Sequence, residues 1–445
     1  MVLEVKNLGP IKEAKIDLNR FMTIFCGPNN TGKTYLSYII YAMAKLNDLP
    51  TLPLPSNCLT DIINKGDATY HISIDKIVEY QKHISDNVIE NLDRVFGLSK
   101  EKAQTYFKTT EINFIESKES LEYEIKNADL QLLINRPNGQ VIFTKTPGSL
   151  SVNLKLENGE NLGPTGVLWL GSGILPVLYK SLALYPVSSA IVFPVERNSI
   201  YTFSKEVAMN RMQTLDRNTR YPLAIEDNLL ISEDLANIKR QGSDFSDLAA
   251  EIEEYLLTGK MEVSKDGEME FVPSHAKTRK LPIHLSASIV KTLSSLVFYL
   301  KHRAKKGDLI IIDEPELNLH PDQQVKLVRI FGKMINRGFR FLISTHSDYI
   351  IKELNNLIML SNNEHVVKKV GSELGYMENE SINPQDVTAY YFAYKTKTAK
   401  FVTVQEEAVD KFGFAVPSID KVIAQINKSS EELFYAVKYP DDNAE

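Results

Sequence analysis

Gly27-Pro28-Asn29-Asn30-Thr31-Gly32-Lys33-Thr34 fits G-x-x-x-x-G-K-[ST] at every fixed position. A compact apolar run, residues 21–26, precedes it. Leu36, Ile39, Ile40, Met43 and Leu46 follow at helical spacing. Wrapping a phosphate chain requires backbone N–H groups that point inward, so glycines must let the loop close tightly. The helix behind the loop adds its positive end. A strand that runs through such a loop into a helix commits the chain to an α/β fold.

In such a loop the backbone of Gly27, Pro28, Asn29, Asn30, Thr31 and Gly32 surrounds the phosphates. Lys33 reaches the β- and γ-phosphates, and Thr34 offers its hydroxyl to Mg²⁺. ATP and Mg²⁺ are therefore the expected ligands. Far downstream, Leu309-Ile310-Ile311-Ile312 runs into Asp313-Glu314. Four apolar residues ending in carboxylates describe a buried parallel strand that delivers acids to a site at its C-terminal end. Asp313 would hold the metal shell, usually through water. Glu314 would orient and deprotonate the attacking water. A third apolar strand, Leu342-Ile343-Ser344-Thr345, ends at His346, which can hydrogen-bond the γ-phosphate and the attacking water. One helix, expected over 322–337 between Pro321 and Gly338, separates the two strands.

Around these motifs the chain reads as alternating blocks. Residues 2–18 form two short strands around Asn7-Leu8-Gly9-Pro10. Residues 51–110 look like a polar helical excursion with Ile77, Ile84, Val88 and Leu92 on one face. Residues 111–195 read as short strands broken by Pro137-Asn138-Gly139, Pro147-Gly148 and Gly163-Pro164. Residues 204–260 are again helical and rich in charge. The tail, 361–445, mixes short strands with a final amphipathic helix around 419–426.

Asp313-Glu314-Pro315-Glu316-Leu317-Asn318-Leu319-His320-Pro321 resembles the D-E-P-E-x-x-L-H-P segment of ABC ATPases related to SMC proteins, RecF and the OLD nucleases. With the loop at 27–34 and Ser344-Thr345-His346-Ser347, it is similar to their prokaryotic AAA15/AAA21-type relatives, many of them in phage defence. The resemblance implies a P-loop ABC-type ATPase head with antiparallel N-terminal strands, a parallel core sheet with flanking helices, and a helical insertion. On that reading residues 1–50, 111–203 and 276–445 make the head. Residues 51–110 are a helical excursion, and 204–275 a lid-like helical insertion. It carries over phosphate binding to Lys33, metal binding to Thr34 and Asp313, the catalytic base to Glu314 and the switch histidine to His346.

The same family implies a signature turn before the Asp313 strand, whose serine meets the γ-phosphate held by a second subunit. Leu285-Ser286-Ala287-Ser288 stands there, with Ala287 and Ser288 in place of glycines, so Ser286 is either that contact or a helix N-cap. Arg197, in Pro194-Val195-Glu196-Arg197, resembles a P-x-x-R segment of these ATPases. It would contact phosphate, transmit its presence to the helical region, or form a surface salt bridge.

Other classes are narrowed by composition and by what is missing. Hydrophobic residues at 43% and charged residues at 24% suit a soluble globular protein. The net charge of −6 argues against sequence-blind coating of DNA, which draws its energy from phosphate neutralisation. Basic clusters at 275–280 (Lys277, Arg279, Lys280), 301–306 and 395–400 are read as solvated loops or a helix end, with nucleic acid as the alternative for the first and last. The N-terminus has no signal-peptide pattern, and no run of about 18 apolar residues is seen. Cys26 and Cys58 fit neither a disulfide framework nor a zinc site, so the expected home is the cytoplasm.

The motifs establish nucleotide hydrolysis, and the family resemblance further implies an ATP-gated switch that forms a homodimer or higher homo-oligomer through its ATP site. It would act on a separately encoded effector, with nucleic acid engagement possible and no membrane partner, in phage defence or DNA maintenance. The rival readings are the ATPase subunit of a membrane transporter and a self-contained ATP-dependent nuclease.

Overall fold

Val2–Leu8 (β1) and Ile11–Asp17 (β2) pair antiparallel across a turn at Gly9, and Met22–Cys26 (β3) follows with every residue buried. The computed structural model describes residues 1–136, 139–157, 164–202, 221–276, 278–396 and 398–439. Among the described residues the remaining strands are Asp67–His71 (β4), Glu111–Phe114 (β5), Leu130–Arg136 (β6), Gly139–Lys145 (β7), Ser151–Glu157 (β8) and Ala190–Phe193 (β9). They continue with Gly259–Val263 (β10), Met269–Pro273 (β11), Leu281–Pro282 (β12), Leu309–Asp313 (β13), Arg340–Thr345 (β14), Val387–Tyr394 (β15) and Val402–Glu407 (β16).

Nine of them form the main sheet, in the order β5-β1-β2-β16-β15-β3-β14-β13-β9. The five from β15 to β9 run parallel. Register places Thr345 beside Cys26 and Asp313 beside Ser344, so three strands end at one edge of the sheet. That edge is where ligands bind in parallel sheets. β16 returns antiparallel to β15 and joins β2, stitching the N-terminal hairpin to the parallel core.

Seven helices matter below: Lys33–Lys45 (α1), Ile74–Glu90 (α2), Ile174–Ala183 (α3), Ser288–His302 (α4), Pro321–Asn336 (α5), Asp348–Met359 (α6) and Pro417–Lys438 (α7). The strand side chains divide by the period of two. Phe25, Ile311 and Leu342 face a core with Leu36, Ile39 and Ile40 of α1, Ile77 of α2 and Leu178 of α3. Ile24, Ile310, Ile312, Phe341 and Ile343 face the other, with Leu293 and Val297 of α4, Leu327 and Phe331 of α5, and Leu354 of α6. Both faces are covered, which is why β13 reads as an unbroken apolar run up to Asp313 and why β3 and β14 are mostly apolar. The buried Lys180 of α3 donates to Ala44 O (2.8 Å), Leu46 O (2.8 Å) and Asn47 Oδ1 (2.6 Å), tying down the end of α1.

Several local expectations change. Within 51–110, four helices are interrupted by β4, because Ala68 and Tyr70 alternate inward and pair with β8. β6, β7 and β8 join β4 in a separate four-stranded sheet rather than the main one. The 204–275 segment is not all helix: after Leu223–Glu233 and Ser246–Ile252 it folds into β10 and β11. Its first part lies outside the described residues, as do Pro137, Asn138 and Gly163 of the expected breaks. The final helix is longer than expected, spanning Pro417–Lys438, and none of its residues is buried. Gly166–Ala183 is long and apolar enough by mean composition to cross a membrane, although Gly171, Ser172, Gly173, Pro176, Lys180 and Ser181 break it as an apolar run. Yet 61% of it is buried inside the protein, where α3 packs on α2.

Candidate active site

The phosphate loop hangs between β3 and α1. Gly27 has φ 122°, and a Cβ there would lie 2.2 Å from Phe392 O of β15, so only glycine fits. Thr31 Oγ1 donates to Pro28 O at 2.8 Å, closing the loop on itself. Asn30 and Gly32 also take positive φ, 61° and 91°. Lys33 is 6% exposed, and its ammonium donates to Gly27 O (3.0 Å) and Pro28 O (2.8 Å). Burial pulls its pKa down to about 8, against the opposing pull of Asp313. The N-terminus of α1 has no capping side chain and no acid in its own first turn, so none of its own residues neutralises its positive end.

β13 brings Asp313 to this loop. Its Oδ2 accepts from Thr34 Oγ1 at 2.7 Å, and its Oδ1 from the hydroxyl of Ser344 on β14. A hydroxyl and a carboxylate at the mouth of a phosphate loop are hard oxygen donors suited to Mg²⁺, which keeps water and substrate oxygens in its shell. Among the described residues no trio of His, Cys, Asp or Glu forms an all-protein metal cage. Glu314, next along, has φ 48°, and its N–H donates to Ser344 O at 3.0 Å. Burial and then the charge of Asp313 push its carboxyl pKa up. Its Oε1 stands 3.9 Å from His346 Nε2. Burial and the Lys33 charge pull the imidazole down to about 4, so at neutral pH the ring is uncharged and its approach to Glu314 is not an ion pair.

Two residues have parts that the motifs did not specify. Glu316 accepts from Thr345 Oγ1 (2.9 Å to each oxygen) and from His346 N (2.7 Å), fastening the acidic turn to the end of β14. Its place in D-E-P-E was visible, but its partner across the sheet was not. Arg197 is 2% exposed, which overturns the surface salt bridge. Nη1 donates to Asp313 O (2.6 Å) and Pro194 O (3.0 Å), and Nη2 to Glu314 O (2.7 Å). The guanidinium is thus occupied by backbone carbonyls behind the carboxylates, a placement that does not present it as a phosphate ligand.

Ser286 lies elsewhere. It is 8% exposed, and its hydroxyl donates to Pro282 O at 3.3 Å. It is not an N-cap, because α4 starts at Ser288 and Ala287 occupies the cap position. None of its hydrogen bonds reaches the phosphate loop or the two carboxylates of its own chain. α4 does meet the acidic turn, through Asn318 Nδ2 and Thr292 Oγ1 at 3.2 Å. Of the basic clusters, Lys301 is committed to Glu253 (2.6 Å) and Lys280 to Glu262 (2.6 Å); Lys277 lies outside the described residues.

The model of the AAA ATPase domain family matches residues 1–351. No curated protein matches the chain. Among solved structures, an SMC head bound to the C-terminal winged-helix domain of ScpA is 11% identical, with 92% of this chain and 98% of that chain covered and a TM-score of 0.36. The SMC head domain from Thermotoga maritima is 10% identical over 92% and 98%, with a TM-score of 0.30. An Smc head domain with an extended coiled coil, bound to the C-terminal domain of ScpA, from Pyrococcus furiosus, is 12% identical over 96% and 98%, with a TM-score of 0.33. The family match spans every residue of the loop, the acidic turn and the His346 strand end. The chain belongs to the AAA ATPase domain family and is an ATPase.

Proposed function

We propose that this ATPase hydrolyses ATP with Mg²⁺ at the loop–Asp313–Glu314 site and uses ATP to gate a homodimer. The observation that carries the hydrolytic part is the meeting of Thr34 with Asp313 at 2.7 Å, with Glu314 and a neutral His346 alongside. Lys33 and the open end of α1 hold the phosphates. Mg²⁺, when bound through Thr34 and Asp313, neutralises phosphate charge. Glu314 accepts a proton from water as the water oxygen attacks the γ-phosphorus and the bond to ADP breaks. His346 positions that water as a neutral ring.

The dimeric switch rests on the resemblance of residues 313–321 to SMC- and RecF-related ATPases. It is supported by the N-terminus of α4, which carries neither a cap side chain nor an acid in its first turn. Ser286 precedes that helix end, and its hydroxyl would have to leave Pro282 O to reach a phosphate on a second subunit. In this reading the dimer controls a separately encoded effector, or nucleic acid engagement, in phage defence or DNA maintenance. The test separates binding from chemistry. Lys33→Ala abolishes ATP binding, whereas Glu314→Gln keeps binding and loses turnover by about 10²–10⁴-fold. Wild-type hydrolysis by Glu314→Gln would remove Glu314 from the role of base.

A further inference from the structure

We propose that Arg197 is a positioning residue for hydrolysis, holding Glu314 in the backbone conformation that aims its carboxylate; this rests on the reading of Glu314 as the base. In an extended strand successive carbonyls point to opposite sides. Asp313 O and Glu314 O nevertheless both accept from the guanidinium of Arg197, at 2.6 and 2.7 Å. They can share it because the chain leaves the strand at Glu314, whose φ of 48° lies in the left-handed region that glutamate rarely adopts. Such a residue persists only where its surroundings over-determine it. Here the surroundings are the Arg197 fork on the two carbonyls and Ser344 O on the Glu314 N–H at 3.0 Å.

Arg197 suits this task for a geometric reason. A planar guanidinium holds its donors in a rigid fork of fixed spacing and direction, whereas an ammonium can donate to several carbonyls but turns freely and imposes no such geometry on them. Among the described residues its hydrogen bonds go to three backbone oxygens and to no carboxylate, so what it fixes is main-chain shape. Pro194 O, the third acceptor, anchors the guanidinium to the chain leaving β9, so the clamp joins two neighbouring strands of the sheet at their C-terminal ends.

Arg197→Lys keeps the charge and most of the volume while losing the fork, and Arg197→Met removes the charge as well. Titration with a fluorescent ATP analogue reports whether the nucleotide site is folded. The expected result for Arg197→Lys is ATP affinity within about twofold of wild type with kcat reduced about 10²-fold, the scale of a small misplacement of a catalytic group. Adding Arg197→Lys to Glu314→Gln should lower turnover no further, because the clamp acts only through that carboxylate. Weakened or lost ATP binding would overturn the proposal in favour of a phosphate contact or a purely structural role. So would an additive loss in the double variant, or full turnover in Arg197→Lys. Wild-type turnover in Glu314→Gln alone would instead sink the reading of the base, a result distinct from these.

Discussion

Thr34 and Asp313, 279 residues apart in the chain, share a hydrogen bond of 2.7 Å between the hydroxyl and Oδ2. The bond joins the first turn of the helix after the phosphate loop to the end of β13, which lies one strand beyond β3's neighbour β14, so the two halves of the site are registered by contact. A divalent cation entering here would take its protein oxygens from this pair.

Removing either oxygen should therefore raise the Mg²⁺ requirement. Thr34→Val and Asp313→Asn are expected to shift the Mg²⁺ concentration for half-maximal hydrolysis upward by about 10–100-fold, the range for disturbed metal sites. Titrating Mg²⁺ at saturating ATP measures it. An unchanged midpoint in both variants would place the metal elsewhere.

The site also has a pH signature. The Glu314 carboxyl titrates above its ordinary range, and a base works only when deprotonated, so kcat should fall on acidification at a higher pH than an ordinary glutamate would give. His346 is already neutral above about 4 and adds no step between pH 5 and 8. Its depressed pKa works on stability instead. The unfolded chain binds that proton more readily, so folding stability is present above about 6.5 and is lost as pH falls towards 4. His346→Asn should flatten that part of the stability profile in denaturant titrations from pH 4 to 7, and a profile unchanged by the substitution would contradict the assignment.

Gly27→Ala should destabilise the protein as well as silence it. The added methyl meets Phe392 O at 2.2 Å, and φ 122° is unfavourable for alanine. Strain of this kind costs about 1–3 kcal/mol before the loop moves. Thermal unfolding of the apo protein reads the loss. A melting point equal to wild type would mean that β15 gives way freely behind the loop.

ATP-driven association tests the dimer. Glu314→Gln with ATP should sediment as a dimer, or as a tighter one than without ATP, and Ser286→Arg in that background should abolish the gain while ATP still binds. Ser286 is buried, so circular dichroism of the variant must accompany the run. Association untouched by Ser286→Arg would remove Ser286 from the interface.

The phosphate loop, the β13 carboxylates and His346 were all legible because each is a short motif attached to a periodic apolar run. Spacing alone places them on parallel strands. Arg197 and Glu316 were legible as letters but not as contacts, because their partners lie across the sheet and main-chain carbonyls leave no trace in sequence. Ser286 was read as the start of a helix that begins two residues later, the usual error at helix ends. β4 was missed because Asp67–His71 is short and lies among helical segments, where its alternating Ala68 and Tyr70 make a weak signal.

β15 and β16 occupy the middle of the main sheet, between β2 and β3, yet are the last of its strands to be made. During synthesis the N-terminal hairpin and the strand leading to the phosphate loop emerge early, but the two strands that join them come some 360 residues later. The nucleotide pocket must therefore stay unfinished on one side through most of translation, with β2 and β3 presenting open edges that other chains could pair with. Such late, long-range closure is slow. Production of this protein should depend on chaperone supply and on synthesis rate more than its final stability would suggest.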